Sequence, residues 1–177
     1  MRIAGVLVAI ALALALQTVL ARFVIGRGFT LDLVLVVVVS TALTWGPAAG
    51  LLAGTLGGLA QDALSGGIIG VGGMAKTLVG FLVGLAGSQF IVTTAFPRFC
   101  VFFGATAVHA GCFIGLYSLL ESRQFGSPWM IVLTQAVGNG IIGLLLFRIV
   151  EGLPGTMERR RSGSGSLRKR WVSDWGK

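Results

Sequence analysis

The chain has 177 residues, of which 55% are apolar and only 11% are charged. Because a water-soluble domain carries about 25% charged residues, this composition excludes an ordinary soluble globular protein. Six membrane spans of roughly 20 residues each would occupy about 120 positions, which leaves room only for short loops and one tail. The composition therefore predicts an all-α, polytopic membrane protein with about six transmembrane helices.

Six apolar segments follow one another along the chain. The first, after Arg2, is longer than the usual apolar core of a signal peptide and lacks a clear small-x-small cleavage site, so we interpret it as a retained helix. The second opens near Asp32, whose carboxylate suits the positive end of a helix dipole. Glycine and proline mark several of the junctions between segments. The predicted helices span residues 3–21, 31–45, 47 to about 62, 72–91, 98–120 and 129–150.

The net charge of +8 is concentrated beyond the last apolar segment, where seven of the fourteen Lys and Arg residues lie. A basic stretch beside a membrane span more often marks the cytoplasmic side and contacts anionic lipid than binds nucleic acid. With six spans both termini lie on one side, and that side holds ten Lys and Arg residues against three opposite. We therefore predict a transmembrane domain over residues 1–150, cytoplasmic termini, and a flexible basic tail over residues 151–177. The predicted lipid-contacting residues of the tail are Arg159, Arg160, Arg161, Arg168, Lys169 and Arg170.

Small residues recur at every fourth position of the third and fourth segments. Residues four apart share one face of a helix, so each segment presents a nearly bare stripe. In lipid, such stripes let helix backbones approach closely, and dispersion and interhelical hydrogen bonds take the place of the hydrophobic drive. The sequence predicts close packing of these two helices through Gly46, Gly50, Gly54, Gly58, Gly80 and Gly84.

Each stripe carries one charged residue, Asp62 in the third segment and Lys76 in the fourth. One short turn joins the two helices, so the charges lie at the same end of the hairpin. Ionisable groups inside a membrane cost roughly 3 kcal/mol or more at its centre and usually mark a site. Three interpretations stay open: a structural ion pair, contact with a partner or ligand, and snorkelling to the membrane interface.

Few other polar residues lie in the apolar segments. We interpret His109 as a hydrogen-bonded residue of the bundle, and Gln135 and Asn139, which share one face of the sixth helix, as groups that form interhelical hydrogen bonds. The sequence holds no cluster of residues with metal-ligand spacing and no carboxylate pair placed for acid–base work. It therefore predicts no enzyme, no metal site and no cofactor.

An ordered series of motifs covers residues 31–88, about a third of the chain. The series is Leu31-Asp32-Leu33, Gly46-Pro47, Gly50, Gly54, Gly58-Leu59, Gln61-Asp62-Ala63-Leu64-Ser65-Gly66, Ile69-Gly70-Val71-Gly72 and Ala75-Lys76-Thr77-Leu78-Val79-Gly80-Phe81. In this combination the segment resembles the family of the bacterial rod shape-determining protein MreD. The size and the helix pattern of the rest of the chain agree with that family.

The resemblance implies a non-enzymatic inner-membrane scaffold of the cell-elongation machinery. Members of the family bind the single-span protein MreC and help connect the MreB cytoskeleton to the peptidoglycan synthases, RodA and its transpeptidase partner. Their fold is similar to that of the S components of energy-coupling-factor transporters. The alternative function is therefore a vitamin-binding S component, in which the Ala-x-x-x-Ala spacing of Ala9 and Ala13 would dock the transporter core. The few polar groups of helices four to six favour the scaffold, for which no small-molecule substrate is expected.

Overall fold

The computed structural model describes residues 2–24, 31–89, 94–121 and 129–152, and its regular structure there is entirely α-helical. The predicted all-α fold class is therefore confirmed. Residues 151 and 152 of the predicted tail are the last residues of the sixth helix, and the rest of the tail, with the six residues predicted to contact lipid, lies outside the described residues. The helices are α1 (Arg2–Val24), α2 (Leu33–Trp45), α3 (Pro47–Ser65), α4 (Val71–Gln89), α5 (Ala95–Glu121) and α6 (Trp129–Gly152).

Four of these helices contain segments that are long and apolar enough to cross a membrane: Ile3–Ala21, Val71–Gln89, Ala95–Leu120 and Trp129–Ile149. Helix α2 is apolar but has only 13 residues, or about 20 Å at 1.5 Å per residue. Helix α3 has 19 residues but is diluted by glycine and alanine. Large apolar side chains such as Leu12, Leu52 and Val108 are exposed, as expected of a bundle whose outer surface faces lipid.

The helix ends follow from local sequence. Asp32 caps α2, because its Oδ1 accepts a hydrogen bond of 2.9 Å from the backbone N–H of Leu35. The predicted role of Asp32 at the start of this helix is thus observed, although α2 begins two residues later than predicted. Helix α3 ends at Ser65, and the following Gly66 adopts the left-handed conformation with φ 69°. Pro97, predicted to precede the fifth helix, lies within the first turn of α5, where an N–H would have no partner in the helix.

Helix α2 lies at the centre of the described packing. Its Val34 and Val38 are fully buried, and they pack with Ile10 and Ala13 of α1 and with Ala53 of α3. Residues up to Gly143 pack as one unit, and the rest of α6 belongs to a second. All contacts described below lie within the first unit.

Helices α3 and α4 form the most extensive contact between elements and touch through their backbones. A Cβ added to Gly58 would lie 2.5 Å from Cα of Gly73, and one added to Gly54 would lie 2.6 Å from the carbonyl carbon of Lys76. Gly50 faces Gly80 in the same way, and Gly84 faces Pro47. Five of the six glycines predicted to pack helices therefore lie where no side chain fits.

Gly46 differs from the other predicted packing glycines in the direction that a side chain would take. A Cβ there would meet no atom within 4 Å, but the backbone of Gly46 still lies against α4, because a Cβ added to Gly84 would be 2.8 Å from the carbonyl carbon of Gly46. Its φ is 87°, a conformation that L side chains rarely adopt. Gly46 ends α2 and precedes Pro47 at the first position of α3. Gly46 therefore lies in the contact with α4 through its backbone, and its positive φ also allows the sharp junction between α2 and α3.

Candidate functional site

Lys76 is the buried cation of the α3–α4 hairpin. Its backbone lies against Gly54, and its side chain reaches away from α3 to the start of α2. There the Nζ of Lys76 lies 2.7 Å from Oδ2 of Asp32, and the two side chains are 3% and 4% exposed. The ion pair considered between Lys76 and Asp62 is not formed, because Asp32 occupies the position beside the ammonium group.

His109 of α5 lies on the other side of this ammonium group, with its Nε2 3.0 Å from Nζ of Lys76. A lysine ammonium group can only donate hydrogen bonds, so Nε2 must accept and the imidazole proton must reside on Nδ1. The imidazole ring is stacked on Phe113 at a centroid distance of 6.0 Å. His109 is therefore a neutral acceptor for Lys76 in the Nδ1–H form.

The first N–H groups of α2 are also satisfied by side chains. The N–H of Asp32 donates to Oδ1 of Asn139 at 3.1 Å, and the N–H of Leu33 donates to Oε1 of Gln17 at 3.1 Å. Asn139 in turn donates through Nδ2 to the hydroxyl of Thr106 at 3.2 Å. Backbone at membrane depth needs such partners, because hydrocarbon offers none.

We call Asp32, Lys76, Thr106, His109 and Asn139 the polar centre. All five residues are buried, and they join α2, α4, α5 and the part of α6 before Gly143. The centre contains one ammonium and one carboxylate, so its formal charges cancel. Removing one member of a buried ion pair costs about 3–5 kcal/mol, because the other charge is left unpaired.

Asp62 has a separate role at the end of α3. Its Oδ2 accepts hydrogen bonds from the N–H groups of Gly70 at 2.8 Å and Gly73 at 3.0 Å. A carboxylate at the carboxyl end of α3 opposes the dipole of its own helix, but here it lies against the amino terminus of α4, where negative charge is favourable. Asp62 therefore caps α4 across the turn and holds the two helix ends together.

Helix α5 ties down the same turn. The backbone N–H of Ile68 donates to the hydroxyl of Tyr117 at 3.0 Å. Tyr117 packs on Phe113 at a centroid distance of 4.8 Å, and Phe113 packs on His109. One face of α5 therefore connects the polar centre to the α3–α4 turn.

The outward side of the hairpin carries a shallow apolar groove of about 490 Å³. Its base includes Thr55 and Thr77, whose hydroxyls lie 2.8 Å apart. Each hydroxyl also lies within hydrogen-bond distance of a carbonyl of its own helix, so one of the two donates to its carbonyl and the other can donate to the neighbouring hydroxyl. Because the polar atoms are satisfied internally, the groove offers an apolar surface. Its walls include Leu51, Leu59, Leu78 and Phe81.

Sequence reasoning singled out Lys76 but not its partner. Asp32 was interpreted only as a charge at a helix end, whereas it both caps α2 and pairs with Lys76. His109 and Asn139 were interpreted as hydrogen-bonded residues of the bundle, which is how the structure places them. One signal in the sequence could have identified Asp32. Like Asp62, it is a carboxylate next to an apolar segment, and it is therefore a second candidate to pair with Lys76.

The fold and the site define a polytopic helical membrane protein that buries an ion pair, Asp32 with Lys76, within a glycine-packed bundle. A family model described as rod shape-determining protein MreD matches residues 1–153. The chain therefore belongs to the MreD family, as the sequence motifs predicted, and it is a rod shape-determining membrane protein. This family is one of shape-determining rather than catalytic proteins. Comparisons with curated proteins and with solved structures gave no match.

Proposed function

We propose that this chain is a non-enzymatic scaffold of the cell-elongation machinery in the bacterial inner membrane. In this proposal it binds the single-span protein MreC and links the MreB cytoskeleton to RodA and its transpeptidase partner. The observation that supports the proposal most strongly is the family match over residues 1–153. A scaffold must hold a surface in a fixed shape, so the stiffest part of the bundle is where we expect the partner.

The α3–α4 hairpin is that part. Its helices touch through glycine backbones, and its turn is fixed by Asp62 and Tyr117. Both charges of the hairpin are used internally, because Asp62 caps α4 and Lys76 pairs with Asp32. We therefore assign structural roles to Asp62 and Lys76, and we propose that the transmembrane helix of MreC packs along the apolar groove.

Copurification of MreC with groove variants tests this assignment. The combined change of Leu59→Ala and Leu78→Ala removes one wall residue from each helix, at positions that are 40% and 44% exposed. Each truncation in the middle of an interface costs about 1 kcal/mol or more, so we expect at least about tenfold less MreC to be captured. The control is Val108→Ala on α5, which is also 44% exposed but lies away from the groove.

The outcomes separate two failures. If the groove variant captures as much MreC as the control, then the partner lies elsewhere on the protein. If the unaltered chain captures no MreC under conditions in which it is folded, then the proposed scaffold function is wrong. A vitamin retained by the purified chain would instead support the S component.

The orientation of the chain is part of the same proposal. With cytoplasmic termini, the segment before α5 faces the cytoplasm and the segment that contains Arg123 faces outside. Single cysteines would be placed at Thr94, which is exposed, and at Arg123, after replacement of the native Cys100 and Cys112. A membrane-impermeant thiol reagent should label residue 123 in intact cells. Labelling of residue 94 alone would reverse the orientation.

We also propose that the basic tail contacts anionic lipid. The charges concerned are the six arginine and lysine residues between 159 and 170, and neutralising all six should weaken binding of a tail peptide to anionic vesicles. Binding should also weaken as salt is raised, because screening acts within about 8–10 Å at physiological ionic strength. Binding that responds to neither change would contradict this role.

A further inference from the structure

The polar centre retains hydrogen-bond donors that the described residues do not use. His109 is only 7% exposed. Its Nδ1 is buried and has no hydrogen-bond partner among the described residues. Since Nε2 accepts from Lys76, this unpaired Nδ1 is the nitrogen that carries the proton. Lys76 itself has three N–H donors, and its contacts with Asp32 and His109 account for two of them.

A buried N–H without an acceptor is costly. Leaving one unsatisfied costs about 1–3 kcal/mol, and most buried polar groups in proteins therefore have a partner. The unused donors of His109 and Lys76 lie in the polar centre, which four helices form. The surroundings of these donors are therefore polar as well as buried. Buried water molecules commonly supply the missing hydrogen bonds of such groups.

The charges of the centre restrict which acceptor fits. The negative charge of the Asp32 carboxylate balances the positive charge of the Lys76 ammonium group. The carboxylate accepts hydrogen bonds from this ammonium group and from the N–H of Leu35. A bound carboxylate or phosphate would add an uncompensated negative charge at low dielectric. A cation would meet the ammonium group directly. An uncharged acceptor, such as the oxygen of water, of a hydroxyl or of a carbonyl, preserves the balance.

We propose that Nδ1 of His109, beside the Asp32–Lys76 pair, is the binding point for one small uncharged oxygen acceptor. The acceptor is either a water molecule or the hydroxyl or carbonyl oxygen of a small solute. The scaffold function described above does not require such a site, so this inference stands apart from it. The site would complete the hydrogen bonding of the centre that joins α2, α4, α5 and α6.

The chain has a single histidine, so ¹⁵N-histidine labelling of the whole protein in lipid nanodiscs gives one imidazole to observe. We expect a pyrrole-like ¹⁵N shift for Nδ1 with its proton attached and a pyridine-like shift for Nε2, unchanged between about pH 6 and 8. A protonated Nε2, or an imidazolium at neutral pH, would overturn the inference. Complete loss of the signals in His109→Gln confirms their assignment.

The NMR cross-peaks of the Nδ1 proton show which molecule supplies the acceptor. A cross-peak between this proton and water supports a water molecule. If there is no such cross-peak, but denaturation of the protein releases a neutral solute that mass spectrometry detects, then that solute is supported as the acceptor. If neither is found, a protein group supplies the acceptor and the inference is wrong. In the control Asp32→Asn with Lys76→Met, Nε2 loses its donor, so a mixture of the two neutral forms is expected.

Discussion

Replacing Gly54 by alanine tests the backbone contact that defines the hairpin. A Cβ at this position would lie 2.6 Å from the carbonyl carbon of Lys76 and 2.8 Å from Cα of Thr77. Ordinary contacts of a Cβ begin at 3.4 Å, so the two helices must separate by at least about 0.8 Å, the difference between 3.4 and 2.6 Å, and the carbonyl oxygen of Lys76 lies closer still. All three obstructing atoms belong to the backbone, which cannot rotate aside as a side chain does.

The expected cost follows from this geometry. Overpacking of a well-packed interior costs about 1–3 kcal/mol. Because Lys76 is itself the residue that is displaced, the 2.7 Å contact between its Nζ and Asp32 is also strained. We therefore expect overpacking in the upper part of that range, about 2–3 kcal/mol. The higher helix propensity of alanine offsets about 1 kcal/mol of it, so Gly54→Ala should lower the free energy of unfolding by about 1–2 kcal/mol.

Gly104→Ala is the matched control, because the same methyl group on α5 would meet no atom within 4 Å. Alanine has a higher helix propensity than glycine by about 1 kcal/mol, so this variant should be neutral or slightly stabilised. Equilibrium unfolding in mixed micelles, followed by helical circular dichroism, measures both variants against the unaltered chain. Free energies of unfolding that agree within about 0.5 kcal/mol for the two variants would refute the backbone contact.

Two further predictions concern the α3–α4 turn. Asp62→Ala removes the acceptor for the N–H groups of Gly70 and Gly73 and should lower the free energy of unfolding by about 2 kcal/mol, whereas Asp62→Asn, which keeps an acceptor oxygen, should cost less than half as much. Equal losses in the same unfolding measurement would contradict the capping role. Tyr117→Phe should cost about 1 kcal/mol and should speed hydrogen exchange at the amide of Ile68, and unchanged exchange at that amide would show that the hydroxyl does not hold the turn.

The spacing of the glycines predicted which face of α3 packs against α4, because spacing along a helix depends only on local geometry. A period of four places Gly50, Gly54 and Gly58 on one face of α3 whatever the rest of the chain does, and the short turn brings the matching face of α4 against it. Gly46 continues the spacing but lies at the junction of α2 and α3, where it also needs a positive φ of 87° that the spacing does not reveal. There the following Pro47 was the better signal, since a glycine before a proline marks a break.

The partner of Lys76 could not be derived from spacing alone. Asp62 and Asp32 are both carboxylates near helix ends, and the choice between them depends on how α2 packs against α4. That packing is a tertiary property, set by buried residues such as Val34 and Val38. Asp62 is nearer in sequence, but the N–H groups of the following turn satisfy it first. Asp62 therefore caps α4 instead of pairing with Lys76, and Asp32, which is more distant in sequence, forms the ion pair.

Double-mutant cycles on Lys76 test the polar centre most directly. Lys76→Met combined with Asp32→Asn removes both charges while keeping a residue that can cap α2. Each single change should cost about 3 kcal/mol or more and the double change much less than their sum, which gives a coupling energy of at least about 2 kcal/mol in the free energy of unfolding. The parallel cycle of Lys76→Met with Asp62→Asn should be additive within about 0.5 kcal/mol. Strong coupling to Asp62 and none to Asp32 would contradict the account.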